Sequence, residues 1–196
     1  GLLDQVVSEG RRYADTPYAA LVLCRMAEAK KAQADLARAR GSRRAVLDEA
    51  VVLTLIYAGL RPAELCQLDV RDLPAHHGKD AILVRNGKGG VTRTIEIGPQ
   101  LRKALGRWLR LYRRRAKPND AVFRNERGER LTYYSVWWKV RRIGVAAGLP
   151  DLYPYQLRHT YATRLYNVEH DLRFVQDQLG HASPQTTAIY AKTDQA

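Results

Sequence analysis

A stretch of apolar residues without a polar face limits how this chain can fold. From Ser42 onward the sequence predicts a helix, and over 50–56 nearly every side chain is hydrophobic. A helix of that kind must be covered on most of its sides, so it predicts a core element surrounded by others. The turn at 59–62 ends the helix, and Pro62 suits the first turn of a short helix over 63–68.

The rest of the chain predicts a mainly α domain of the α+β class with a small antiparallel sheet. Apolar residues alternate on both sides of Asn86-Gly87-Lys88-Gly89-Gly90, which is typical of a β-hairpin with Lys88 at its tip. Turn residues at 118–120 and 127–129 bracket a short extended piece. Spacing and capping residues predict further helices over 17–40, 99–112, 132–147, 154–166, 171–179 and 184–192.

We expect one main domain over 42–196. A chain of 196 residues with 45% hydrophobic residues is long enough to bury a substantial core. The sequence begins at Gly1 without an initiator Met, which suggests a fragment of something longer. We therefore interpret residues 1–41 as a linker or as the remnant of a missing domain.

The charge balance makes nucleic acid the first partner to test. The chain has 33 Lys and Arg against 20 Asp and Glu, a formal net charge of +13. Such a field concentrates polyanions, although it also suits a basic solubility surface or a protein associated with ribosomes or membranes. No stretch approaches the roughly 18 apolar residues of a membrane span, and a secretory signal pattern is absent. We expect a soluble, cytoplasmic protein without membrane contact.

The cysteines and histidines do not predict a metal site. Cys24 and Cys66 lie in apolar helical surroundings without a metal-ligand spacing, so we expect both to be reduced and buried. His76 and His77 form a pair in a predicted loop without further ligands at zinc-like spacing. We expect neither a metal nor another cofactor.

Three separated segments of the chain carry residues that fit one pattern. They are Gly-Leu-Arg-Pro-Ala-Glu-Leu at 59–65, Gly-Lys-Gly at 87–89, and a stretch that runs from Tyr-Gln-Leu-Arg-His at 155–159 through Leu-Gly-His at 179–181 to Tyr190. Each piece alone is common. Their order and spacing together resemble the tyrosine recombinase (phage integrase) family, and the likeness runs over 42–192.

The resemblance implies a set of six site residues. In the family an arginine follows Gly-Leu and precedes Glu-Leu, a lysine sits on a Gly-Lys-Gly hairpin, and a second arginine stands in a His-x-x-Arg-His segment. A Leu-Gly-His segment and then the nucleophilic tyrosine follow. The matching residues here are Arg61, Lys88, Arg158, His181 and Tyr190, with Tyr155 at the place of the first histidine, which is sometimes lysine in the family.

The chemistry of DNA cleavage explains the two arginines. Attack on a phosphodiester passes through pentavalent phosphorus with added negative charge on the non-bridging oxygens, and a planar guanidinium can neutralise and hydrogen-bond them. We expect Arg61 and Arg158 to form this clamp. The alternative for each is an ordinary salt bridge, and either Glu64 or Asp69 could hold Arg61.

The other matched residues would divide the remaining steps. Tyr190 would attack phosphorus and stay attached to the 3′ phosphate, which keeps the bond energy, so that neither ATP nor metal is required. Lys88 would protonate the leaving 5′ oxygen, a step worth about 10² to 10⁴ in rate. His181 would donate a hydrogen bond to the phosphate. The alternatives are a half-buried aromatic for Tyr190, a solvated turn lysine for Lys88 and a helix-capping histidine for His181.

Tyr155 departs from the family pattern. A neutral phenol can donate a hydrogen bond to a phosphate oxygen, but it is a poor proton shuttle at neutral pH. We expect Tyr155 to contact the phosphate while other groups activate Tyr190. Otherwise the chain is a weakened or retired enzyme.

The resemblance implies an enzyme that cleaves and rejoins double-stranded DNA at specific sites, as a homotetramer on two sites with two active protomers at a time. It also implies that 1–41 are the tail of, or the linker to, a helical domain that clamps DNA. Two alternatives stay open: an integrase-derived DNA-binding protein that does not cleave, and a relaxing enzyme of the type IB topoisomerase kind. Integration, excision, inversion and resolution all remain open, as does the host element.

Overall fold

The structure is a computed structural model, and it describes residues 42–74, 78, 80–85 and 92–180. These ranges contain six α-helices and two strands, which confirms the predicted mainly α fold with a small antiparallel sheet. In chain order the elements are α1 Arg43–Ala58, α2 Pro62–Gln67, a 3₁₀ turn Val70–Asp72, β1 Ala81–Val84, β2 Arg93–Glu96, α3 Pro99–Tyr112, α4 Tyr133–Ala146, α5 Pro154–Glu169 and α6 Leu172–Leu179.

Helix α1 lies at the centre of the domain, as its apolar surface predicts. It contacts α2, α3, α4 and α5, so it is covered from several directions. Ala50, Val51, Leu55 and Ile56 are almost completely buried. Each large aliphatic side chain buried in this way stabilises the fold by about 1.5 to 3 kcal/mol, so α1 is a main source of hydrophobic stabilisation.

The two strands form an antiparallel pair whose inner face joins the main core. Ile82 lies opposite Ile95, and Val84 lies opposite Arg93. Ile82, Val84 and Ile95 belong to the same buried cluster as α1. Arg85, directly after β1, ties the sheet to the turn that follows α2 by ion pairs with Asp69 and Asp72. Residues 86–91, which include Lys88 and the predicted hairpin tip, lie outside the described residues.

A smaller cluster joins α5 to α6. Ala162, Val175 and Leu179 are its fully buried members. Helix α6 begins at the capping residue Asp171, whose carboxylate accepts hydrogen bonds from the backbone N–H groups of Arg173 and Phe174 at 2.8 and 3.1 Å. Because α6 also contacts β2, the end of α6 is brought beside the sheet.

Most of the predicted helix bounds agree with the structure to within a residue or two, but α5 is longer than predicted. It continues to Glu169 and ends at His170, whose φ of 51° is left-handed. A sequence argument relies on Gly or Asn as the signal for this conformation, and a histidine gives none. The predicted helices over 17–40 and 184–192 lie outside the described residues.

Cys66 is buried, as expected, and burial raises the pKa of its thiol to about 11. Cys24, His76 and His77 lie outside the described residues. Over the described ranges, no helix is long and apolar enough to cross a bilayer. Within those same ranges, His, Cys, Asp and Glu side chains form no group of three that could hold a metal ion.

Candidate active site

The turn between α1 and α2 places Arg61. Gly59 ends α1 with a φ of 57°, in the region that favours glycine. Arg61 is the N-cap residue of α2, and its backbone N–H donates to Oε2 of Glu64 at 2.8 Å. Its Nη1 donates to Oε1 of the same carboxylate at 2.7 Å. Of the two acidic partners considered for Arg61, Glu64 is therefore the one that binds it, while Asp69 binds other arginines.

Arg158 connects α5 to this turn. Its side chain is only 6% exposed, and its Nη1 donates to the carbonyl oxygen of Gly59 at 2.6 Å. The same Nη1 lies 3.8 Å from Oε2 of Glu64. The two arginines expected to clamp a phosphate therefore lie beside one carboxylate, although 97 positions, from residue 61 to residue 158, separate them in the sequence.

A third arginine, Arg93 at the start of β2, joins them. Its Nη1 and Nη2 donate to Oε1 and Oε2 of Glu64 at 3.0 and 2.8 Å, a two-point ion pair. Arg93 is not among the six site residues expected from the sequence. The available signal was its register, because Arg93 stands two residues before the buried Ile95 on the same face of β2. A charged residue at an inward-facing position needs a partner. We call Arg61, Arg93 and Arg158 the arginine cluster.

The arginine cluster holds the C-terminal end of α6 by three successive carbonyl groups. Carbonyl groups at a helix C-terminus lack intrahelical partners and carry partial negative charge, so cations bind there favourably. The hydrogen bonds join Arg93 to Gln178 at 2.9 Å, Arg158 to Leu179 at 2.7 Å and Arg61 to Gly180 at 2.8 Å. The first two residues of the Leu-Gly-His segment are thus attached directly to the two arginines of the other motifs.

The electrostatics of the cluster favour an anion. Burial would raise the pKa of the Glu64 carboxyl above its ordinary value of 4.5, but hydrogen bonds from Arg93 and Arg61 outweigh burial and the pKa is lowered. Glu64 is therefore ionised at neutral pH. Three guanidinium groups against one carboxylate leave an excess of two positive charges. Such an excess, partly removed from water, is suited to a phosphate group.

Tyr155 lies in the first turn of α5 and is 48% exposed. It precedes Arg158 by three residues, and residues at that spacing lie on neighbouring positions of a helix surface. The phenol is thus open to solvent close to a buried arginine of the cluster.

Lys88, His181 and Tyr190 lie outside the described residues. The structure describes the two strands that flank the segment with Lys88, and it describes Gly180, which precedes His181. Of the six site residues expected from the sequence, the structure therefore brings Arg61 and Arg158 beside one carboxylate and places Tyr155 in the first turn of the helix that carries Arg158.

Comparisons with known proteins identify the family of the chain. The family model described as the phage integrase family matches residues 26–196. The tyrosine recombinase XerC of Corynebacterium efficiens is 42% identical over 143 residues, which are 72% of this chain and 45% of the relative. The tyrosine recombinase XerA of Pyrococcus horikoshii is 37% identical over 145 residues, which are 74% of this chain and 50% of the relative. The chain thus spans about half the length of the curated relatives it matches.

Solved structures of recombinases also match this chain. A crystal structure of XerA recombinase superimposes with a TM-score of 0.68 at 34% identity, over 85% of this chain and 56% of that one. A post-cleavage complex of the XerH site-specific recombinase with a palindromic difH substrate has a TM-score of 0.68 at 32% identity. That match covers 79% of this chain and 44% of the XerH chain.

Proposed function

Because the chain belongs to the phage integrase family, we propose that it is a tyrosine recombinase, which cleaves and rejoins double-stranded DNA at specific sites through a 3′-phosphotyrosyl intermediate. One observation carries this proposal: Arg61 and Arg158 converge on Glu64 and on the adjoining carbonyl groups of Gly180 and Leu179. Two of the six expected side chains are thereby assembled in a single positively charged site.

In the proposed reaction the two arginines neutralise the scissile phosphate. A guanidinium has five N–H donors, so it can hold protein acceptors and a phosphate oxygen at the same time. The buried Arg158 is kept in place by Gly59 and Leu179, while the side chain of Arg61 is 19% exposed. An arginine held by fixed acceptors loses little entropy when the phosphate arrives, which favours stabilisation of the transition state.

In the proposed reaction one bond to phosphorus forms as another breaks, so the number of phosphoester bonds does not change. The phenolic oxygen of Tyr190 forms a bond to phosphorus and releases its proton to solvent, while the bond from phosphorus to the 5′ oxygen breaks and that oxygen takes a proton from Lys88. His181 donates a hydrogen bond to a non-bridging oxygen. A 5′ hydroxyl later attacks the phosphotyrosine and reverses these steps, so neither a metal nor ATP enters the scheme.

Tyr155 is proposed as an additional hydrogen-bond donor to the phosphate. Its exposure in the first turn of α5 supports this role, because DNA can reach an exposed phenol without displacing the core. Arg158 follows Tyr155 by three residues on α5, and residues at that spacing occupy neighbouring positions of a helix surface, which supports contact of both with one phosphate.

The assembly is proposed from the relatives. XerH is described on a palindromic difH substrate, and a palindrome suits a protein that binds inverted half-sites with two-fold symmetry. We infer a homotetramer on two such sites in the cytoplasm, acting either in resolution or in integration and excision of a mobile element. Residues 42–196 would form the catalytic domain, and 1–41 the linker to, or remnant of, a DNA-clamping domain.

The test uses a nicked duplex that carries the sequence selected by this protein from a random DNA library. A covalent adduct should appear as a shifted band on a denaturing gel and should be lost in Tyr190→Phe. Binding of the duplex without any adduct would reject the enzyme and favour a DNA-binding protein. Relaxation of supercoiled plasmid by monomers, without strand exchange, would instead favour a topoisomerase.

A further inference from the structure

We propose that Arg93 is a positioning residue of the recombinase site, which neutralises Glu64 and holds the end of α6 so that Arg61 and Arg158 stay directed to the DNA phosphate. The inference rests on the proposed function and adds to it a residue outside the six expected from the sequence.

Arg93 and its ion-pair partner Glu64 are both almost completely buried. Its side chain is 8% exposed and that of Glu64 is 7% exposed, so both charges are removed from water. Burial of an ion pair costs several kcal/mol of desolvation per ion, and a well-packed apolar pair at such a place is often no less stable. Position 93 faces inward beside Ile95, where an apolar side chain would serve the core. Stability alone therefore does not explain an arginine at this position.

The arginine at position 93 is explained by the buried carboxylate of Glu64, which the three arginines of the cluster share. Without Arg93, the buried carboxylate would keep only Arg61, at 2.7 Å, and Arg158, at 3.8 Å. A buried carboxylate with too few partners draws the remaining cations toward itself, because its alternative is an unpaired charge in a poorly solvated place. The positive excess would fall from two charges to one. The first effect draws guanidinium groups away from a bound phosphate, and the second weakens the attraction between the site and that phosphate.

Arg93 also attaches β2 to α6. Its Nε donates to the carbonyl oxygen of Gln178 at 2.9 Å, and its Nη1 would lie 3.0 Å from a Cβ built on Gly180. The guanidinium therefore lies directly against the last turn of α6. Strand β2 follows the segment that carries Lys88, and Gly180 precedes His181. One side chain thus joins the elements that lead to two other expected site residues.

The experiment compares Arg93→Gln and Arg93→Lys with the matched control Arg130→Gln in the full chain. Arg130 is also a partly buried arginine that binds a carboxylate, that of Asp69 at 2.7 Å, and two backbone carbonyls, those of Cys66 and Leu68. Single-turnover adduct formation is measured at saturating protein on two nicked duplexes of the selected site. One has the ordinary scissile phosphodiester. The other has an uncharged methylphosphonate there.

We expect Arg93→Gln to slow cleavage of the phosphodiester about 100-fold, since displacing catalytic groups by about 1 Å can cost that factor. On the methylphosphonate the defect should shrink to a few-fold, because less charge must be neutralised. Arg93→Lys should fall between Gln and the parent, since lysine supplies charge without a two-point contact. Arg130→Gln should have the same small effect on both duplexes.

A second measurement separates positioning from general loosening of the fold. In Arg93→Gln combined with Glu64→Gln the carboxylate charge that Arg93 offsets is gone, so cleavage of the phosphodiester should be no slower than in Arg93→Gln alone. The proposal is overturned if Arg93→Gln cleaves within two-fold of the parent. It is also overturned if its defect is equal on the two duplexes and multiplies with that of Glu64→Gln. An adduct from the parent, lost in Tyr190→Phe, shows that such a failure concerns Arg93 and not the enzyme.

Discussion

The ring of Tyr161 occupies the space that a side chain at residue 59 would need: a Cβ built on Gly59 would lie 2.1 Å from Cδ1 of Tyr161. The φ of Gly59 is also left-handed, and its carbonyl accepts a hydrogen bond from Arg158. The glycine before Leu60 and Arg61 is therefore needed for the close approach of α5 to the end of α1. That approach brings Arg158 to the site.

Gly59→Ala should lower the free energy of unfolding by about 2 kcal/mol or more, because left-handed strain and overpacking add together. The control is Gly128→Ala, since Gly128 has a φ of 83° and no heavy atom of the described residues within 4 Å of an added Cβ. The control should lose only the cost of the strained backbone. Urea unfolding measures both variants, and equal losses would contradict the role given to Tyr161.

Glu64 should make stability depend on pH in the acid range. Its pKa in the folded protein is lowered below the ordinary value of 4.5, so its contribution is complete above that pH and is lost as the pH falls through the folded value. The free energy of unfolding, measured from about pH 7 to about pH 3, should therefore fall more steeply in the parent than in Glu64→Gln. Parallel curves for the two proteins would refute this contribution.

The two expected clamp arginines should differ in what their loss does to the fold. Arg61→Gln and Arg158→Gln should each slow adduct formation about 10² to 10³-fold, as expected for loss of a donor to the transition state. Arg158→Gln should also lower the free energy of unfolding by about 1 to 3 kcal/mol, because the carbonyl groups of Gly59 and Leu179 lose a buried donor. The more exposed Arg61 should show a smaller loss. Thermal unfolding checks the difference, and the reverse order would count against the assigned burial.

Tyr155→Phe should slow cleavage, because it removes the hydroxyl that would donate to the phosphate and leaves the ring in place. Tyr155→His should preserve cleavage, since imidazole can donate at the same point. Rates of adduct formation on the nicked duplex decide the matter. A Phe variant as fast as the parent would remove Tyr155 from the site.

The sequence predicted what depends on local pattern. The apolar run in α1 predicted a buried helix, and Thr132 predicted the start of α4, where its side chain accepts a hydrogen bond from Ser135. Glu64, one of the two acidic partners considered for Arg61, is the one that binds it. These results follow from periodicity and capping, which a few neighbouring residues determine.

Arg93 could not be assigned a role from the sequence, because its partners are distant along the chain. Glu64 and Gln178 approach it only after β2, α2 and α6 have packed together. The register of Arg93, two residues before Ile95, indicates an inward position that needs a partner, but it does not say which residue is that partner. The inward register of Arg93 becomes significant only once the buried carboxylate that receives it is known.

The arginine cluster binds the end of α6 through main-chain carbonyl oxygens, so the attachment does not depend on which side chains can donate or accept there. Replacing the side chain of Gln178 leaves the acceptor of Arg93 unchanged, because every residue has a carbonyl group. The exposed side chains of α6 can therefore change without loss of this attachment, because the arginines that make it lie in other elements. Within residues 178–180, Leu179 is constrained by its burial between α5 and α6, and Gly180 is constrained by its left-handed φ and by the guanidinium of Arg93 against it.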